Sequence, residues 1–174
     1  MAFRRGLLAA LAAGALIGGS AGCGAEDVHE GKGGARVSPA GTVLTDTDEQ
    51  GRHYRDVDPK GAPRVAVEVR PDSGGGRDIQ LTVRHFRFSA AEVRPVAVAG
   101  RGLARLSLDG RSLTWLRVTA YRLPAALVPR GTHRVRARLY ADDRTLWSVH
   151  GRPVEGAAAL TSSGTERTPG PGCT

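Results

Sequence analysis

From Arg64 to Leu160 the chain runs as short stretches of alternating apolar and polar residues, broken about every eight to fifteen residues by turn formers. A period of two sends successive side chains to opposite faces of a strand, and no segment here carries the 3.6-residue period of an amphipathic helix. In "RVAVEVRPD" the inward set is Val65, Val67 and Val69; in "DIQLTVR" it is Ile79, Leu81 and Val83, with Arg84 outward. The strongest signal is "GLARLSLDGRSLTWLRVTAY", where Asp109-Gly110 supplies the positive φ angles of a type I′ hairpin turn and Ala104, Leu106 and Leu108 point into the core. "RVRARL" alternates Arg134, Arg136 and Arg138 with Val135, Ala137 and Leu139 and reads as an edge strand guarded by charge. About seven strands over residues 64–160 predict an all-β fold with the size and rhythm of an immunoglobulin-like β-sandwich.

Composition limits how that sandwich is packed. A chain of 174 residues with 40% hydrophobic content fits one domain plus appendages. Aromatic residues make up only 5%, so Val, Leu and Ala must build the core. Of the 25 basic residues only Lys32 and Lys60 are lysines. With so much Ala, Gly, Val and Pro, that bias points to a high-GC genome, and arginine abundance by itself says little about arginine chemistry.

The first 22 residues have a positive start at Arg4 and Arg5, the apolar run "GLLAALAAGALIGG", and then "SAGC" ending at Cys23. The run is shorter than the roughly 20 residues of a spanning helix and fits a secretory signal. Small residues before a cysteine at this place resemble the lipobox of bacterial lipoproteins of actinobacterial type. That resemblance implies cleavage before Cys23, diacylglycerol on its sulfur, and a protein anchored by membrane lipid on the extracytoplasmic side of the cell membrane. Arg4-Arg5 also suits twin-arginine export, although Phe3 departs from that pattern and favours the general secretory route. Residues 23–63 combine eight acidic and five basic residues after Cys23 with many Gly and Pro and few large apolar groups, which predicts a flexible tether. Within it, "DTDEQG" lacks calcium-loop spacing and reads as solvated acid around Asp46, Asp48 and Glu49. Residues 161–174, with Cys173, read as a disordered tail.

Charge is unevenly placed. Arg64 to Val154 holds seventeen arginines against seven acids, so the basicity lies in the strand domain. Outside a bacterial membrane such a domain meets anionic headgroups and phosphate-bearing wall polymers, and there is no aromatic interleaving of the kind that reads nucleic acid. No catalytic constellation is found: motifs such as Gly-x-Ser-x-Gly and His-Glu-x-x-His do not occur, and His29, His53, His85, His133 and His150 are scattered. His85 and His133 could meet across neighbouring strands, but each falls at a strand end. The expectation is a protein that is not an enzyme and uses no cofactor or metal.

"FRFSAAEV", "GRGLARLSLDG", "AYRLPAALVPRGTHRVRARLYADD" and "LWSVHGRPV" together resemble a group of small secreted bacterial β proteins. Their pattern is approximately "FRFxPE", "GEGHAHLYVDG", "WYHLPxLxPGEHTVTVTLNANDH" and "xWAVxGxPV". Histidines of that pattern lie two apart on one strand and could join a third in a metal or ligand site. At the matching positions this chain has Leu103, Arg105, Arg144 and Arg122, and neither leucine nor guanidinium ligates metal. What the resemblance implies instead is an anion site in which Arg105, Arg122 and Arg144 are neighbours with Tyr121 beside them. An adaptor that docks another envelope protein by a sheet edge, and a degenerate relative of metal-binding proteins, stay open as alternatives.

Overall fold

The structure is a computed structural model and describes residues 37–38 and 40–162. The signal segment, Cys23 and Cys173 lie outside the described residues. The fold is all-β. In chain order the strands are β1 Val37–Ser38, β2 Gly41–Thr47, β3 His53–Asp56, β4 Arg64–Pro71, β5 Arg77–Arg84, β6 Arg87–Phe88, β7 Arg101–Leu108, β8 Arg111–Leu116, β9 Ala120–Leu123, β10 Gly131–Tyr140, β11 Leu146–Val149, β12 Arg152–Pro153 and β13 Glu155–Ser162. One 3-10 turn, Ala125–Leu127, is the sole helical element among the described residues, and no helix there is long and apolar enough to cross a membrane.

Two sheets form a sandwich-like pair. The larger runs β1-β2-β3-β11-β10-β7-β6, with β8 added to β7, β13 to β10 and β12 to β11; the smaller is β4-β5-β9. Most pairings are antiparallel, but β3 runs parallel to β11 and β6 to β7, so the large sheet is mixed. Period-two patterning drives the assembly: Ile79 and Leu81 from the small sheet meet Leu106, Val135 and Leu139 from the large one in a single core with Trp147. At about 1.5–3 kcal/mol for each fully buried aliphatic side chain, these alternating positions supply most of the force that holds the sheets together.

The turn at Asp109-Gly110 has the φ values of 49° and 83° that a type I′ hairpin requires. Gly102 is fixed by sterics: a Cβ there would lie 1.8 Å from the Tyr140 carbonyl oxygen.

Three expectations are corrected. The domain starts well before Arg64, because β2 and β3 lie inside the expected tether; β3 pairs with β11 some ninety residues away, and its Arg55 is buried, donating to Thr145 Oγ1 at 2.8 Å and to Asp143 Oδ2 at 2.7 Å. At the other end β13 takes Thr161 and Ser162 from the expected tail. β10 is no edge: β7 pairs along one side, and β13 and β11 along the other.

Candidate anion-binding face

The outer face of the large sheet is set by register. On β7, Arg105 lies opposite Arg138 of β10 on one side and Trp115 of β8 on the other. An unbroken two-residue hairpin would place Thr114 opposite Arg105 and turn Trp115 toward the core. A bulge between Leu106 and Ser107 shifts the register by one residue, so Trp115 joins the arginine face while Leu116 is buried.

Trp115 is the centre of the cluster. Its ring meets Tyr140 edge-to-face at 5.0 Å, and three guanidiniums approach it: Arg144 at 4.4 Å, Arg52 at 4.8 Å and Arg105 at 5.9 Å from the ring centroid. A guanidinium over an indole ring is favourable and can still hydrogen-bond through the N–H donors at its edge. Arg144 sits at φ 71°, a left-handed conformation that costs about 1–2 kcal/mol for a residue with a Cβ. The turn that imposes it is pinned by Arg101 on Asp142 at 2.8 Å and by Arg55 and Thr145 on Asp143. Among the described residues neither Arg105 nor Arg144 has a carboxylate within ion-pair distance. Arg105 donates from Nε to Ser112 Oγ at 2.9 Å and from Nη1 to Gln50 Oε1, both neutral acceptors.

The loop Asp48–Arg52 lies across this face and corrects the solvated reading of "DTDEQG" at Asp48, while Asp46 and Glu49 are exposed. Asp48 is only 6% exposed; it accepts the N–H groups of Gln50 and Arg52 at 2.9 Å each and the Tyr140 hydroxyl at 2.8 Å. Burial pushes its carboxyl up, but those donors outweigh burial and hold it below the ordinary aspartate range. Burial, then the Asp48 carboxylate, push the Tyr140 hydroxyl up. Next to it, Glu49 takes both Nη groups of Arg138, which lowers its carboxyl to about 2. Arg138 also donates from Nε to Glu155 Oε2 at 2.8 Å. Burial opposes its charge, and the two carboxylates more than restore it.

Two of the three expected arginines therefore come together, Arg105 and Arg144, and the third does not. Arg122 is on β9 of the small sheet, paired with Asp72 Oδ1 at 2.5 Å and Asp78 Oδ1 at 3.5 Å, because its neighbours on that sheet and in the β4–β5 loop are acidic. Tyr121 lies opposite Ile79 and packs against the core between the sheets, so it offers nothing to the arginine face. Leu103, at another of the matched positions, is buried on β7. The sequence reading missed Trp115, Arg52 and the Asp48–Arg52 loop. A bulge hid the first, and the tether-like composition hid the other two.

His85 and His133 do not meet: the first contacts the Ala62 carbonyl at 3.3 Å, the second Asp109 Oδ2 at 2.7 Å. No group of three or more metal-ligating side chains gathers among the described residues. No protein-family model matches the chain, and neither do any of the curated proteins or solved structures compared with it.

Proposed function

We propose that this chain is a lipid-anchored protein of the outer face of a bacterial cell membrane, attached through Cys23, whose β domain binds an anionic group of an envelope component. The observation that carries the reading is that Arg105 and Arg144, neither of which has a carboxylate within ion-pair distance among the described residues, approach one indole on the outer face of the large sheet. Guanidinium forks match the paired oxygens of phosphate and carboxylate, and Trp115 limits the side-chain freedom that binding would otherwise have to remove. The converging groups are guanidiniums, an indole and a phenol held by a buried carboxylate. They stabilise negative charge, and none is a nucleophile paired with a base, so we read the site as one of binding rather than catalysis.

The test is titration of the full chain in neutral detergent with inorganic phosphate and with a soluble phosphate-bearing wall polymer at low salt, followed by tryptophan fluorescence. Saturable binding that the Arg105→Gln/Arg144→Gln variant loses is expected; no binding at low salt would overturn the reading. In cells, Cys23→Ser should move the protein from the membrane to the soluble fraction.

A further inference from the structure

Beside the Trp115 cluster the same face holds a small cavity. The Asp48–Arg52 loop closes it over the sheet, with Arg105, Arg136, Arg138 and Tyr140 beneath and Glu49 and Gln50 at its mouth; its volume is about 120 Å³. Cavities that take ring-bearing ligands run to about 300–1,000 Å³, so this one suits a single phosphate or carboxylate group. Two features point to such an occupant. Arg136 Nε is buried without a hydrogen-bond partner, its nearest carboxylate oxygen, Glu155 Oε1, lying 3.7 Å away. At the mouth, Glu49 already presents a carboxylate to Arg138, with the acid 60% exposed and the arginine only 14%. The cation is sunk in the sheet, and the anion is on the exposed side.

We propose that this cavity is a second anionic subsite in which Glu49 is the built-in occupant, and that the face binds a chain bearing at least two phosphate or carboxylate groups. One group lies between Arg105 and Arg144; the next displaces Glu49, takes the Nη donors of Arg138 and fills the open Nε position of Arg136. Arg105 borders both places, so neighbouring groups of one linear chain can occupy them together. This inference rests on the reading of Arg105 and Arg144 as an anion site. It adds that Glu49 competes with the ligand and that affinity grows with the number of anionic groups.

The experiment compares inorganic phosphate, inorganic polyphosphate of graded length, and citrate on the full chain, for wild type, Glu49→Gln, Glu49→Ala, Arg136→Lys in the Glu49→Gln background, and Arg105→Gln/Arg144→Gln with and without Glu49→Gln. Melting curves confirm that each variant folds. Glu49→Gln and Glu49→Ala should tighten polyphosphate binding by about tenfold, the size of an ordinary coupling between sites, and this gain should exceed any gain for single phosphate. Arg136→Lys keeps the charge, lacks the Nε donor, and should erase the gain. The same gain with citrate would assign a carboxylate-bearing chain, and its restriction to polyphosphate a phosphate-bearing one. Equal polyphosphate affinity in wild type and Glu49→Gln, with single phosphate still dependent on Arg105 and Arg144, would overturn the second subsite and leave the proposed function standing. A gain in Glu49→Gln that needs Arg136 but not Arg105 or Arg144 would keep the subsite and overturn the first site.

Discussion

The two sheets carry similar charge patterns and use them differently. On the small sheet Arg122 and Arg70 are largely exposed and meet carboxylates close by, Asp72 and Asp78 for the first and Glu68 for the second. On the large sheet Arg105, with Arg144 from the β10–β11 turn, leans on an aromatic ring, and Arg138 is sunk between two acids contributed by different segments. Alternating arginine is therefore not one signal. Where the neighbours are short-range acids and water, the charge is neutralised and contributes little. Where the neighbour is an aromatic ring, the same residue type is ordered and available.

The largest effect should come from disturbing the strand that positions the arginine face. Gly102→Ala forces a Cβ into the Tyr140 carbonyl on the neighbouring strand and should cost about 3 kcal/mol or more of stability, read by urea denaturation. A mild effect would mean that β7 and β10 are not held this closely. Next is the contrast itself. Arg105→Gln with Arg144→Gln should weaken phosphate binding by about tenfold to a hundredfold, from charge-assisted bonds of about 1.5–3 kcal/mol, whereas Arg122→Gln should leave it unchanged. Equal losses from the two sheets would erase the distinction and replace a site with diffuse attraction.

Much of the architecture was readable and much of the site was not, for identifiable reasons. The inward set Ile79, Leu81, Ala104, Leu106 and Leu108 follows from period two, and the 109–110 turn from Asp-Gly chemistry. Both are local signals. The strands at 41–47 and 53–56 were hidden because their order comes from pairing with β11 and from polar anchors such as Arg55 on Asp143, partners that composition does not reveal. Trp115 was hidden by a single bulge, since a one-residue shift changes which face a side chain joins. The grouping of Arg105 with Arg144 came from resemblance rather than periodicity, and the same resemblance misplaced Arg122 and Tyr121.

A smaller effect should separate the two faces by pH. Asp48 and Glu49 both have folded-state values below their ordinary ones, so their contribution is complete above the ordinary carboxylate range and fades as pH falls through the folded values, for Glu49 about 2. Acidification from about pH 5 toward 2 should loosen the Asp48–Arg52 loop, seen as a change in Trp115 fluorescence with Trp147 replaced by phenylalanine. Asp48→Asn should bring the loosened state to neutral pH and cost about 2 kcal/mol, because the buried Tyr140 hydroxyl and two N–H groups lose a charged acceptor. A pH-independent signal would mean that the loop is held by packing and not by its carboxylates.

The smallest expected effect is the most direct check on the comparison. Arg122→Gln removes a guanidinium that is 67% exposed from two carboxylates. An exposed pair contributes about 0–1 kcal/mol, less once salt screens it, so the change in denaturation midpoint should be small and should shrink further in 0.5 M salt. Asp72, whose side chain is only 9% exposed, is the point at which this expectation can fail. If Arg122→Gln costs well over 1 kcal/mol and the loss persists at high salt, then Asp72 behaves as a buried carboxylate that depends on its cation. The small sheet would then hold an ordered charge pair of the same kind as Glu49 and Arg138, and the difference between the faces would reduce to the one feature the small sheet lacks, an aromatic ring for its arginine to lean on.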